Sequence, residues 1–153
     1  MEKVRRITSF SVDHDFIVPG IYVSRIDGDV TTYDLRTRVP NAGDYMDNLT
    51  MHSLEHMFAT YVRASIIADR VIYFGPMGCR TGFYLLLFGD LSPEDVYGEV
   101  MAMCDFVLAF EGDIPGASAV ECGNYSEQNL SMAKYYVARY KEELKQKRFA
   151  YAK

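Results

Sequence analysis

The sequence predicts an α+β fold: a single domain whose antiparallel or mixed sheet of about four strands packs with about three to four helices. Three observations point there. Two β-prone runs in "IYVSRIDGDVTTYDLR" flank Asp27-Gly28, a hairpin signal. Two further short runs, "VIYFG" and "FYLLLF", read as strands separated by "PMGCRTG". Segments with helical apolar spacing supply the rest, in the order β-β-α-β-β-α-α, and few strands with one hairpin-linked pair favour α+β. At 153 residues, one domain over 1–153 is the expectation, long enough for a core without disulfides.

The elements follow in order. After the hairpin, Pro40, Asn41, Gly43 and Asp44 mark a loop. A helix is predicted from about Leu49 to Ala68, with Asn48 or Thr50 as N-cap. Ser92-Pro93-Glu94-Asp95 combines a cap, a proline at the first helical position and acids at the positive end of the helix dipole. Val96, Val100, Cys104 and Val107 then recur at helical spacing. "EGDIPGAS" is a loop. A last helix is predicted from Ser126, with Leu130, Ala133, Val137, Tyr140 and Leu144 on one side.

Apolar residues make up 49% and charged residues 24%, with a net charge of -5. That balance lacks the basic footprint of a nucleic-acid binder. The N-terminus has no apolar stretch behind its basic residues, and "FYLLLF" is too short to span a bilayer. A cytoplasmic protein without a membrane partner is expected. Three cysteines, Cys79, Cys104 and Cys122, do not make a disulfide framework.

"TMHSLEHMF" places His52 and His56 four apart, with Glu55 between them. On a helix His52, His56, Ala59 and Arg63 share a stripe, and Leu54 and Phe58 face away. Two imidazoles so spaced reach one metal ion, and a carboxylate beside it is placed to move protons. An exposed helix face with two histidines reads equally simply. The same pattern is that of inverted zinc peptidases, which need a third ligand downstream; Glu111, Asp113, Glu121 and Cys122 are the candidates.

Cys104 falls on a core-facing period and reads as buried and inert. Cys79 in "GPMGCRTG" sits in a glycine-flanked turn beside Arg80, where a cation favours thiolate; a small residue tolerated in a tight turn is the bland reading. Cys122 in "VECGNY" lies off any apolar period. A thiolate there completes a His/His/Cys set with one open position, unless it is an ordinary loop cysteine. Arg36 reads as an exposed strand residue and His14 as a loop residue.

Taken together, "SFSVDH", "YDLR" followed by "PN", "HSLEH", "PMGCRTG" and "ECGNY" resemble the S-ribosylhomocysteine lyase (autoinducer-2 synthase, LuxS) family over Ser9 to Tyr125. The resemblance implies cleavage of S-ribosylhomocysteine to homocysteine and 4,5-dihydroxy-2,3-pentanedione. The diketone is the precursor of a quorum-sensing signal, and homocysteine returns to the methyl cycle. It implies one divalent metal per subunit, ferrous iron with zinc or cobalt as substitutes, on His52, His56 and Cys122. Cys79 and Glu55 take the places of the acid/base pair, and Ser9, His14 and Arg36 match positions near the substrate. A homodimer with active sites at the interface is implied. Tyr73 departs from the pattern, standing where several members carry an acidic residue.

Overall fold

The computed structural model describes residues 4–5 and 7–152. Four strands form one antiparallel sheet in the order β1-β2-β4-β3: β1 Gly20–Asp27, β2 Val30–Arg36, β3 Val71–Pro76 and β4 Gly82–Phe88. Three α-helices accompany it, α1 Asn48–Ala64, α2 Pro93–Ala109 and α3 Leu130–Leu144. The predicted element order and fold class are both observed. Among the described residues no helix is long and apolar enough to cross a membrane.

Strand register sorts the side chains into two faces, because directly paired residues point the same way. Ile21–Leu35–Phe83 and Val23–Tyr33–Leu85–Phe74 form rows across the sheet on the helix side. Phe58 of α1 meets Phe74 and Phe83 edge-on, with centroids 5.7 and 5.5 Å away. Met57, Val96, Val100, Val107, Val137 and Leu144 close the core around them. Cys104 is buried there at 0% exposure, as its period predicts, and burial pushes its thiol up to about 12.

None of the three α-helices packs on the opposite face, which is bordered instead by a short 3-10 turn at Thr8–Phe10. Its rows are Tyr22–Asp34–Tyr84–Gly75, Arg25–Thr32–Leu86–Tyr73 and Asp27–Val30–Phe88. Tyr73 and Phe88 remain 51% and 49% exposed on it. Gly75 is matched to Tyr73: a Cβ there would meet the Tyr73 hydroxyl at 2.0 Å. Glycine at 75 leaves the room that the Tyr73 ring occupies in this rotamer.

Helix boundaries correct three details. Asp47, not Asn48 or Thr50, caps α1 by accepting from the Thr50 N–H at 2.7 Å. The helix stops at Ala64 because Ser65 turns extended and its hydroxyl takes the Val62 carbonyl at 2.7 Å. α3 begins at Leu130 rather than Ser126, capped by Asn129, since 126–129 is drawn onto α1 by the Ser53 hydroxyl, which meets Asn129 N at 2.7 Å. The α2 start is as predicted: Ser92 and Asp95 form a reciprocal capping box.

Beyond α3 the chain runs back along the outer edge of β1. The Ile21 N–H donates to the Arg148 carbonyl at 3.1 Å. Gly20 makes room for this crossing, since a Cβ would lie 2.5 Å from that carbonyl oxygen. Tyr151 then folds over the open face, stacked on Tyr22 with centroids 4.5 Å apart, and donates to Asp34 Oδ2 at 2.7 Å.

The capping box yields one check on this reading of α2. Ser92→Ala is expected to lower stability by about 1 kcal/mol, measured by thermal or urea unfolding.

Candidate active site

His52 and His56 lie one turn apart on α1, with ring centroids 4.6 Å apart in edge-to-face contact. Each ring is oriented by a backbone carbonyl from the long 111–129 segment. His52 Nδ1 faces the Glu127 oxygen at 3.0 Å and His56 Nδ1 faces the Pro115 oxygen at 2.8 Å. A ring nitrogen against a carbonyl must carry the proton, so Nδ1 donates and each Nε2 keeps a free lone pair. Cys122 Sγ stands 3.3 Å from His52 Nε2. The three ligand atoms lie within 4.8 Å of one another.

The segment that delivers Cys122 is held at several points. Ile114 is buried, and the Cys122 N–H bonds to the Ser118 carbonyl at 3.0 Å. The Asn124 N–H donates to Cys122 Sγ at 3.4 Å, a contact that suits a sulfur anion. Gly116 has φ +74, and a Cβ on it would lie 3.1 Å from His56 Nδ1. Glycine is thus required both by the left-handed backbone and by the approach to the imidazole.

Two imidazole nitrogens and one thiolate are a borderline-soft donor set that fits a divalent first-row cation with a position left over. Glu111, Asp113 and Glu121 are not among the converging atoms; Glu121 instead accepts from the Ser118 hydroxyl at 2.6 Å. Glu55 is partly buried on the same helix, and its carboxylate has no hydrogen-bond partner among the described residues.

A second constellation surrounds Cys79. The turn between β3 and β4 is tied by Met77 N–H to Gly82 O at 2.9 Å and Arg80 N–H to Met77 O at 3.0 Å. Arg80 itself takes the left-handed conformation, φ 62. Exposed Cys79 lines a cleft of about 280 Å³ together with Ser9, His14, Arg36 and Tyr84. It also borders a cleft of about 230 Å³ with His14, Asn41 and Tyr45. Ser9, His14 and Arg36 are therefore brought to Cys79, as expected of a shared site.

Arg36 is not an exposed strand residue; it is 3% exposed beneath the tail and the N-terminal segment. Its Nε and Nη2 fork onto Asp34 at 3.0 and 2.7 Å, and its Nη1 donates to Thr81 Oγ1 at 2.9 Å. Thr81 Oγ1 is 3.1 Å from Cys79 Sγ. Burial works against the guanidinium charge, but the hydrogen bonds and charge of Asp34 outweigh it, and its pKa is raised. Arg36 lies within electrostatic reach of Cys79. Arg80, its sequence neighbour, lies over the Tyr45 ring at 5.8 Å.

Sequence reasoning passed over Asp34, Thr81 and Tyr84. The signal for the first was present: Asp34 and Arg36 are two apart on a strand, hence on one face. Neither cleft at Cys79 is lined by His52, Glu55, His56 or Cys122. The predicted site residues thus fall into two separate groups.

Comparison with known proteins gives one consistent answer. The family profile described as S-ribosylhomocysteinase (LuxS) matches residues 7–150. The S-ribosylhomocysteine lyase of Finegoldia magna is 48% identical over 141 residues, 90% of each chain. That of Clostridium beijerinckii is 49% identical over 137 residues, 86% of each chain, and that of Borreliella burgdorferi 45% over 142 residues, 90% of each.

Two substitutions test the ligand cluster by elemental analysis of purified protein. Cys122→Ala is expected to empty the site while the fold persists. Gly116→Ala is expected to weaken metal affinity by roughly ten- to a hundredfold, because it displaces the group that orients His56.

Proposed function

The chain belongs to the S-ribosylhomocysteinase (LuxS) family and is a carbon–sulfur lyase, and from that premise we propose how its residues divide the work on S-ribosylhomocysteine. The observation that carries the reading is the convergence of His52, His56 and Cys122, with both histidine tautomers set by carbonyls. These three residues would hold one divalent cation, ferrous iron natively, with zinc or cobalt accepted by the same donors. When bound, the cation acts as a Lewis acid for negative charge developing on substrate oxygen.

The thiol leaves only if a carbonyl stands beside the carbon whose proton is lost, β to the sulfur. The sugar aldehyde starts too far along the chain. Two aldose–ketose shifts bring the carbonyl into place, and β-elimination then releases homocysteine and 4,5-dihydroxy-2,3-pentanedione, the autoinducer-2 precursor. Each stage takes a proton from one carbon or oxygen and returns it to another, so two carriers are needed. Cys79 removes and returns the carbon-bound protons. Glu55 shuttles hydroxyl protons and protonates the departing thiol. Ser9 and His14 hold the substrate beside Cys79, and Arg36 lines the same cleft of about 280 Å³, which accommodates a small polar molecule. The enzyme acts in the cytoplasm on a soluble thioether.

The working unit is a homodimer with its active sites at the interface. Two observations support it. The Cys79 clefts and the His52, His56 and Cys122 cluster share no lining residue. The face of the sheet away from the α-helices exposes Tyr73 and Phe88 beside Leu86, an apolar surface that a second copy would cover. The peptidase reading is set aside, because the relatives matched over most of their length are lyases.

An anaerobic thiol-release assay with S-ribosylhomocysteine tests the reaction. Cys79→Ala should abolish turnover with metal content unchanged, and loss of metal would mean the two cysteines are exchanged. Glu55→Gln should retain metal and lose roughly a hundredfold to ten-thousandfold in rate; unaltered turnover removes Glu55 from the mechanism. Sedimentation should report a dimer, and a fully active monomer would overturn the interface assignment.

A further inference from the structure

Hydrogen positions between the buried ion pair and Cys79 follow from donor chemistry alone. Arginine has donors and no acceptor. Asp34 occupies Nε and Nη2 of Arg36, so Nη1 is committed to Thr81 Oγ1 at 2.9 Å. Having accepted from a cation, Oγ1 still has its own hydrogen to give, and its other neighbour is Cys79 Sγ, 3.1 Å away. The sulfur is then the acceptor, and the positive charge behind Thr81 strengthens the bond.

The far end of this chain of contacts is the C-terminal tail. Tyr151 donates to Asp34 Oδ2, the oxygen that also receives Arg36 Nη2. Burial first, and then the charge of Asp34, hold the Tyr151 hydroxyl far above its ordinary range, so it remains a donor. Tyr22 fixes the Tyr151 ring by stacking, and the Tyr22 hydroxyl is itself bound to the Val18 carbonyl at 2.7 Å. The Thr81 backbone is held independently, its carbonyl accepting from Thr37 N–H at 3.0 Å and Arg38 N–H at 2.9 Å. A change to the Thr81 side chain therefore leaves the turn in place.

We propose that Thr81 and Tyr151 are positioning residues for Cys79: Tyr151 anchors Asp34, Asp34 fixes the Arg36 fork, and Arg36 directs the Thr81 hydroxyl onto the Cys79 sulfur. A hydrogen bond donated to the sulfur stabilises negative charge there, which is what taking a proton from carbon requires. This rests on the assignment of Cys79 as a proton carrier made above. It gives the segment after α3 a part in the chemistry of a turn far away in sequence.

The test combines turnover with a readout independent of it, the rate at which iodoacetamide alkylates Cys79 in the metal-loaded enzyme, followed by peptide mass. Thr81→Val removes the hydroxyl at nearly constant shape, and Thr81→Ser restores it. At about pH 7, Thr81→Val should slow alkylation of Cys79 about tenfold and lower kcat by a similar factor with KM unchanged. Thr81→Ser should recover both. Tyr151→Phe should show a smaller loss in the same direction, and it carries the test if Thr81→Val fails to fold. Parental alkylation rates in Thr81→Val, or a Thr81→Ser enzyme as slow as Thr81→Val, overturn the role of Thr81; parental rates in Tyr151→Phe overturn the anchoring by the tail. Turnover surviving Cys79→Ala would sink the catalytic assignment while leaving the alkylation result standing, so the two claims fail separately.

Discussion

The candidate ligand cluster of His52, His56 and Cys122 depends on two hydrogen bonds of one kind, a backbone carbonyl facing a histidine Nδ1. The Pro115 and Glu127 carbonyls each perform two tasks at once. They fix the tautomer, so that both Nε2 lone pairs are free, and they moor a long irregular segment to the one helix that carries the histidines. Cys122 lies between the two mooring points. The loop's path and the ligands' protonation are therefore a single constraint, which is why the segment bends through a glycine at its nearest approach to His56.

Much of this was legible beforehand because it is local. Hairpin turn chemistry, the Ser92 capping box and the core-facing period of Cys104 depend only on neighbouring residues, and each is observed. His52 and His56 share a face because they share a helix. The choice of Cys122 over Glu111, Asp113 and Glu121 was not settled by spacing, since it depends on how a turn-rich segment folds back onto α1. The start of α3 was misplaced for the same reason: Ser126 offers a plausible cap, but contacts with Ser53 hold 126–129 out of the helix. Arg36 is the clearest case of tertiary override. A strand arginine reads as solvent-exposed until the C-terminal tail and the N-terminal segment cover its face.

Sheet register explains how one face of the sheet carries the polar network that leads to Cys79 while the other face carries the core. The rows through Leu35 and Tyr33 are apolar and lie beneath helices. The alternate positions Asp34, Arg36 and Tyr84 point to the side away from the α-helices. A charged pair there is tolerable only if both partners are satisfied, and the fork between Asp34 and Arg36, completed by Tyr151 and Thr81, satisfies them. Cys79 sits at the end of that network, outside the core but within reach of a rigid cation.

Cys104 has a practical corollary. Sealed inside α2 with its sulfhydryl pushed up to about 12, it is silent toward electrophiles dissolved in water. With Cys122 taken up by the proposed cation, a dye or spin label applied to the unaltered polypeptide would land on a single position, Cys79. The native chain thus carries its own spectroscopic handle at the mouth of the cleft, with no cysteine needing to be engineered in or out.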